Sequence, residues 1–301
     1  MNALRAVRPL SAGARVALIA PAGGLRGAQD LERAENNAVA LGWEPVVGAH
    51  ALARDGYFAG SDVQRLADLN TALADRRIDG IWCLRGGYGT MRLLPEIDLA
   101  ALSAAPRPVI GFSDVTALLS AIQARCGLTC YHGPVARARL SDFSRDSLQR
   151  ALTQSSDPCG AAPGARTLRD GVAEGVLTGG NLAVLAALTG TPYASGTDGA
   201  ILVLEDIDER TYRIDRMLRQ LYLAGALNGC RGLVFGHCTN CGEHAESGSR
   251  TLDEVLLEMA ELLQIPCIAG IPLGHIDDQW TIPLGAHAQL DAGARTLNVT
   301  S

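Results

Sequence analysis

The sequence lacks any uninterrupted apolar run near the ~18 residues that a membrane-spanning helix requires. At its start, Arg5, Arg8 and Arg15 break up the apolar stretch that an export signal needs. The eight cysteines lie mostly inside apolar segments, where a free cysteine packs as a small hydrophobic side chain. We therefore expect a protein of the reducing cytoplasm with no membrane partner.

A stripe of basic residues is also absent. The 26 basic residues, all arginine, are spread thinly among 32 acidic residues, and the net charge is −6. Binding to a phosphate backbone needs clustered positive charge, so nucleic acid is not expected as a partner. Small or peptide substrates fit this composition better.

What the first half does contain is a regular alternation of strand and helix signals, such as "RVALIAPAG" followed by "LERAENNAVALG". This alternation predicts βαβ units and a parallel sheet covered by helices on both faces. We assign residues 1–152 to an N-terminal α/β domain. Residues 153–170, rich in Ser, Pro and Gly, are interpreted as a linker. Residues 171–301 are expected to form a smaller, mixed, strand-rich domain.

The second half carries several short apolar runs that indicate strands, among them "AILVLEDI" and "RGLVFGHC". Helical periodicity is evident in three places only, around 181–189, 210–224 and 251–263.

In "RPVIGFSDVTALLSAI", a strand turns into a helix with Ser113 at the corner. Reactive groups of open α/β sheets collect at such strand ends, where helix N-termini present free N–H groups. Serine is also a preferred helix N-cap, so capping is the simpler interpretation. Val115 stands where the G-x-S-x-G elbow has its second glycine, which weakens an assignment to the α/β-hydrolases.

A serine nucleophile needs a base and an acid that orients it. His275 follows an apolar run, on a glycine-flanked loop of the kind that often carries function. Glu205 ends a long apolar strand, where a buried acid would need a partner. Adjacent strand side chains alternate in direction, so Asp206, with Asp208, is expected to cap the helix that begins near Arg210.

Three other histidines compete with His275. His132 follows the strand beyond the Ser113 helix and would reach the same edge of the sheet. His50 has no carboxylate signal nearby, and His287, inside an apparent strand, is expected to be structural.

The loop "RGGYGT" contains Gly86, Gly87 and Gly89, which let a ligand approach the backbone closely. Its spacing matches neither dinucleotide-binding nor P-loop patterns, so nucleotide binding is disfavoured. An amide of Gly86 or Gly87, with the N–H of Asp114, would form an oxyanion hole. A plain tight turn remains the alternative.

The segment "GHCTNCGEH" offers four soft metal ligands: His237, Cys238, Cys241 and His244. Structural zinc usually takes two separated ligand pairs, and no second pair follows here. No metal is therefore expected, although a metal- or ligand-binding protein without catalysis remains an alternative reading.

Taken together, "GFSD", "CLRGGYGT", "VLEDI" and "LGHIDD" resemble the LD-carboxypeptidases (muramoyltetrapeptide carboxypeptidases). The resemblance extends over nearly the full length, including "VALIAPAG" and "GGNL". It implies an α/β sandwich like that of class I glutamine amidotransferases, a smaller C-terminal domain, and a site in the cleft between them. It also implies removal of the terminal D-alanine from murein tetrapeptides during cytoplasmic recycling, without metal or cofactor.

On this resemblance Ser113 attacks the carbonyl, His275 moves the proton and Glu205 orients His275. Three residues are candidates for substrate contact: Arg85, Tyr88 and Trp280. The microcin C immunity proteins, which cleave a peptidyl-nucleotide, share the family, and Trp280 would suit an adenine. A homodimer is expected.

Overall fold

The computed structural model describes residues 4–154, 156–241 and 250–300. Within these ranges the chain forms two sheets, of six and eight strands. No described helix combines the length and apolarity that crossing a bilayer requires.

The first sheet has five parallel strands in the order β5-β4-β3-β1-β2. The strands are β1 (Arg15–Ile19), β2 (Glu44–Val47), β3 (Gly80–Cys83), β4 (Val109–Gly111) and β5 (Cys130–His132). A sixth strand, β12 (Ile282–Leu284), comes from late in the chain and pairs antiparallel with β5. The helices are α1 (Ala28–Ala40), α2 (Asp62–Ala74), α3 (Thr90–Leu93), α4 (Leu99–Ala104), α5 (Thr116–Cys126) and α6 (Asp142–Gln149). The predicted α/β class with a parallel N-terminal sheet is confirmed.

The second sheet is mixed, in the order β6-β14-β13-β8-β9-β10-β11-β7. Its strands are β6 (Gly160–Ala161), β7 (Arg166–Arg169), β8 (Val172–Asn181), β9 (Ala200–Ile207), β10 (Gly232–Thr239), β11 (Cys267–Ala269), β13 (His287–Asp291) and β14 (Thr296–Thr300). Helices α7 (Leu182–Leu188), α8 (Thr211–Leu223) and α9 (Leu252–Leu263) confirm the three predicted from periodicity.

The stretch 153–170, interpreted as a linker, contributes β6 and β7 to the edges of the second sheet. Because β12 lies in the first sheet, the chain also crosses back from the second half to the first. The domain boundaries themselves stay a prediction.

Apolar side chains cover both faces of the second sheet. Along β9, Ile201 and Val203 belong to the core that is continuous with the first sheet. Leu202 and Leu204 belong to a second core beneath α7, α8 and α9. A strand buried on both faces reads as a continuous apolar run rather than an alternation. Any polar residue at the end of β9 is therefore buried whichever face it takes.

Candidate active site

The corner after β4 holds Ser113 in an unusual backbone conformation. Its φ is +61°, in the left-handed region that non-glycine residues rarely adopt and that costs about 1–3 kcal/mol. Ser113 is the first residue of a 3₁₀ turn, Ser113–Val115, whose N-cap is Phe112, and the N-cap of α5 is Val115. The interpretation of Ser113 as an N-cap is therefore wrong. The Ser113 Oγ is directed towards another side chain instead.

That hydroxyl meets His275. The Nε2 of His275 lies 3.2 Å from Ser113 Oγ, and the Nδ1 lies 2.8 Å from Glu205 Oε2. The imidazole is half-buried, whereas the Glu205 side chain is 0 % exposed. The Phe112 ring packs against the imidazole, with ring centroids 4.8 Å apart. The structure thus brings the three predicted residues into one hydrogen-bonded series.

Glu205 is held by more than the histidine. Its partner across the strands is Asn181, the last residue of β8. The Asn181 Nδ2 donates to Glu205 Oε1 at 3.2 Å, which leaves Oε2 for His275. Gly274, at φ +112°, lets its loop come close, since a Cβ there would lie 3.2 Å from Glu205 Cβ. Sequence reasoning missed Asn181, although an Asn between a strand and "LAVLAAL" is a helix-start signal.

Asp206 is buried as well, at 3 % exposure, on the opposite face of β9. Its Oδ2 accepts the N–H of Ala183 at 3.0 Å, and its Oδ1 accepts from Asn181 Nδ2 at 3.1 Å. Burial raises the pKa of Asp206 to about 6, and the negative charge of Glu205 adds to the rise. Asp206 therefore accepts a backbone N–H at the start of α7.

The prediction that Asp206 and Asp208 cap the next helix is wrong. The N-cap of α8 is Arg210, and no side-chain cap is formed there among the described residues. Asp208 instead accepts from Asn240 Nδ2 at 3.0 Å.

The glycine loop lies against the nucleophile candidate. A Cβ on Gly86 would stand 2.8 Å from Ser113 Cβ and 3.0 Å from its Oγ, so only glycine fits without a shift. Gly87, at φ +109°, is exposed on the same loop. The Asp114 carboxylate accepts the N–H of Thr90 at 2.9 Å and so ties the loop to the corner. Burial raises the pKa of Asp114.

The candidates for substrate contact separate into different environments. Arg85 donates to the carbonyl of Gly24 and is half-buried. Tyr88 is 49 % exposed, whereas Trp280 is only 2 % exposed and donates its backbone N–H to Pro272 O at 2.7 Å. The expectation that Trp280 covers the site or stacks on a base is not met, because its ring packs in the core.

His132 lies beside this series but outside its hydrogen bonds, with its ring centroid 5.9 Å from that of Phe112. His132 is 1 % exposed, and among the described residues neither ring nitrogen has a hydrogen-bond partner. Burial lowers the pKa of His132 to about 4. His50 Nδ1 lies 2.8 Å from Asp68 Oδ1, so the inference that it has no nearby carboxylate is wrong.

His237 and Cys238 lie within the last part of β10, and Cys241 follows the strand. His244 lies outside the described residues. Within the described ranges, no group of three or more His, Cys, Asp or Glu side chains is placed to hold a metal ion.

Two family models match the chain. One is described as the LD-carboxypeptidase N-terminal domain and covers residues 16–133. The other is described as the LD-carboxypeptidase C-terminal domain and covers residues 174–290.

Similar proteins include a putative carboxypeptidase of Streptomyces coelicolor, 39 % identical over 97 % of this chain and 96 % of that one. The murein tetrapeptide carboxypeptidase of Pseudomonas aeruginosa is 36 % identical, over 92 % and 93 %. Among solved structures, the muramoyltetrapeptide carboxypeptidase from Oxalobacter formigenes has a TM-score of 0.85 at 31 % identity, covering 95 % of this chain and 99 % of that one. The wild-type apo microcin C7 self immunity protein has a TM-score of 0.88 at 25 % identity, covering 98 % of each chain.

Proposed function

Since this chain belongs to the LD-carboxypeptidase family, we propose that it is a serine peptidase that removes the terminal D-alanine from murein tetrapeptides. The observation that carries the proposal is the hydrogen-bonded series from Ser113 Oγ through His275 to Glu205. Relatives named murein peptide and murein tetrapeptide carboxypeptidase, at 32 % and 36 % identity, support the substrate class.

In the proposed acylation step, His275 Nε2 accepts the proton of Ser113 as Oγ attacks the carbonyl carbon of the L,D-bond. The tetrahedral intermediate collapses as the imidazolium gives that proton to the departing amine of D-alanine. Water then attacks the acyl-serine ester, with His275 as base, and releases the shortened peptide. No metal or cofactor takes part in these steps.

The carbonyl oxygen becomes negative in each tetrahedral intermediate and needs donors. We assign this role to the N–H groups of Gly86 or Gly87 and of Asp114. The close approach of Gly86 to Ser113 supports the assignment, because a donor must lie beside the attacked carbonyl. One such donor is typically worth about 10²–10³ in rate.

Glu205 has the role of orienting acid. Its Oε2, 2.8 Å from Nδ1, favours the tautomer that leaves Nε2 free to accept a proton. Asn181 occupies the other oxygen and so limits rotation of the carboxylate. In the proposed division of roles, Ser113 and His275 take part in the reaction. Glu205 holds His275 in place, and Asn181 holds Glu205.

Cleavage of a peptidyl-nucleotide is the second candidate. A related immunity protein has been solved as an active-site mutant in which a serine, an asparagine and a lysine are replaced by alanine. The same protein has been solved as a tryptophan-to-phenylalanine mutant in complex with adenosine monophosphate. This chain contains no lysine, and its three tryptophans are at most 3 % exposed. These differences favour the murein substrate.

The setting is proposed to be cytoplasmic and the assembly homodimeric. All eight cysteines lie in the described part of the chain as free thiols, as is usual in a reducing compartment. Light scattering on the purified protein would determine the assembly.

The test is mass spectrometry of tetrapeptides ending in D-alanine, with diaminopimelate or lysine at the third position, after incubation with the protein. We expect a tripeptide and free D-alanine, and no cleavage of a matched peptide ending in L-alanine. A peptidyl sulfamoyl adenosine serves as the competing substrate. Cleavage of that compound alone would overturn the proposal.

A further inference from the structure

Two tyrosine rings are exposed beside the glycine loop. Only 4 % of the residues are aromatic, yet Tyr57 is 67 % and Tyr88 is 49 % exposed. Their ring centroids lie 5.9 Å apart, and both rings pack on Phe58, at 4.3 Å and 5.8 Å. We call Tyr57, Phe58 and Tyr88 the aromatic rim. Exposed, adjacent aromatic rings are typical of binding surfaces.

The aromatic rim is attached to the site through backbone contacts. A Cβ on Gly86 would touch Ser113, and Gly86 O accepts the N–H of Gly23 at 2.9 Å. Gly23 in turn forms an isolated bridge with Phe58. Tyr88 stands two residues after Gly86 in the same loop. The rings therefore stand on the two segments that lie against the nucleophile candidate.

The aromatic rim is also held in place by the turn that carries it and by two arginines that pack on Phe58. The turn that carries Tyr57 is closed by reciprocal backbone bonds between Asp55 and Phe58, at 3.1 Å and 2.9 Å. The guanidinium groups of Arg65 and Arg92 lie over the Phe58 ring, 4.7 Å and 5.4 Å from its centroid.

Both arginines are paired with one carboxylate, Asp62, so their charges are largely satisfied beneath the rim. Rings fixed before binding lose little conformational entropy when a ligand arrives.

The chemistry of the rings selects the ligand. Tyrosine presents a flat apolar face with a hydroxyl at its tip. A pyranose ring has the complementary form, an apolar face of C–H groups edged by hydroxyls. On the proposed function, everything except D-alanine lies on the acyl side of the cleaved bond, which includes any sugar still attached to the stem peptide.

We propose that Tyr57 and Tyr88 bind the sugar ring of a muramyl-linked tetrapeptide and make it a better substrate than the free tetrapeptide. This inference rests on the proposed function. Stacking of this kind is worth roughly 0.5–1.5 kcal/mol for aromatic pairs, or about 2- to 10-fold. The gain is expected in KM, because the sugar is bound equally before and during reaction.

The experiment compares kcat/KM for the muramyl-linked and free tetrapeptides in the wild type, Tyr57→Ala and Tyr88→Ala. We expect the linked-to-free ratio to fall about 2- to 10-fold in each variant. Tyr212→Ala, which removes a 54 % exposed tyrosine on α8, is the matched control and should keep the wild-type ratio.

Equal losses on both substrates, or an unchanged ratio, would overturn the sugar assignment. So would a change of oligomeric state in the variants with the ratio intact, since the rim would then face a second copy of the chain. If the wild type cleaves neither peptide, the proposed function fails, and saturation-transfer NMR with N-acetylmuramic acid decides the sugar claim alone. Transfer lost in Tyr57→Ala supports it, and equal transfer overturns it.

Discussion

At the end of β4, Ser113 is half-exposed in a left-handed conformation, and its Oγ has His275 as its side-chain partner. At the end of β9, Glu205 is fully buried in regular strand geometry, with both oxygens hydrogen-bonded. At the first strand end, the Ser113 hydroxyl reaches His275 from a backbone conformation that costs energy. At the second strand end, the Glu205 carboxylate is held where water does not reach it. On the proposed mechanism, this difference separates the reacting group, Ser113, from the group that orients the base, Glu205.

The largest effect is expected from Ser113→Ala. Turnover should fall by at least about 10⁴, as for loss of a triad nucleophile, while stability stays near wild type because no cap is lost. Ser141→Ala is the matched control, since Ser141 does cap α6, accepting from Ser144 N at 3.2 Å. The Ser141→Ala variant should keep its activity, and its free energy of unfolding should fall by about 1 kcal/mol. Release of D-alanine and urea unfolding measure the two quantities, and near-wild-type turnover in pure Ser113→Ala would exclude Ser113 as nucleophile.

At the second strand end, Glu205→Gln should lower kcat by about 10⁴ with little change in KM, because the loss is of transition-state stabilisation. Asp206→Asn should keep most of the activity, since Asp206 contacts α7 rather than His275. Steady-state kinetics of both variants, with circular dichroism as a folding check, decide between them. The reverse ranking would mean that Asp206 is the orienting acid.

Gly86→Ala probes the contact between the loop and the corner. The new Cβ would stand 2.8 Å from Ser113 Cβ, so one of the two segments must move. We expect kcat to fall about 10²-fold if the loop supplies an oxyanion donor. At Gly27, nothing lies within 4 Å of an added Cβ, so Gly27→Ala is the control. Wild-type kcat in Gly86→Ala would remove the loop from the mechanism.

The smallest effect concerns pH and stability. Burial raises the pKa of Asp206 to about 6, above the ordinary 3.8, so the native state binds this proton more tightly than the unfolded state. The stabilising contribution is therefore complete below about pH 4 and is lost as the pH rises through 6. The unfolding free energy of the wild type relative to Asp206→Asn should fall by roughly 2 kcal/mol between pH 4 and 7. Urea titrations test this, and a constant difference would contradict the raised pKa.

Sequence reasoning could place the three residues of the series, because strand ends, a glycine-flanked loop and family motifs are local signals. It could not place Asp206, since the alternation rule assumes a strand with one buried face and β9 has two. Nor could it find the φ of Ser113, which the packing around the corner imposes. The burial of Trp280 follows from the return of β12 to the first sheet, a long-range pairing that leaves no local pattern.

The most direct test is covalent labelling with a fluorophosphonate, followed by peptide mapping. The serine oxygen displaces fluoride from phosphorus, and the reaction is fast only if the hydroxyl is activated by a base. We predict a label on Ser113 in the wild type that is lost in His275→Ala and strongly slowed in Glu205→Gln. A label on another residue, or equal labelling of Ser113 in His275→Ala, would contradict the account.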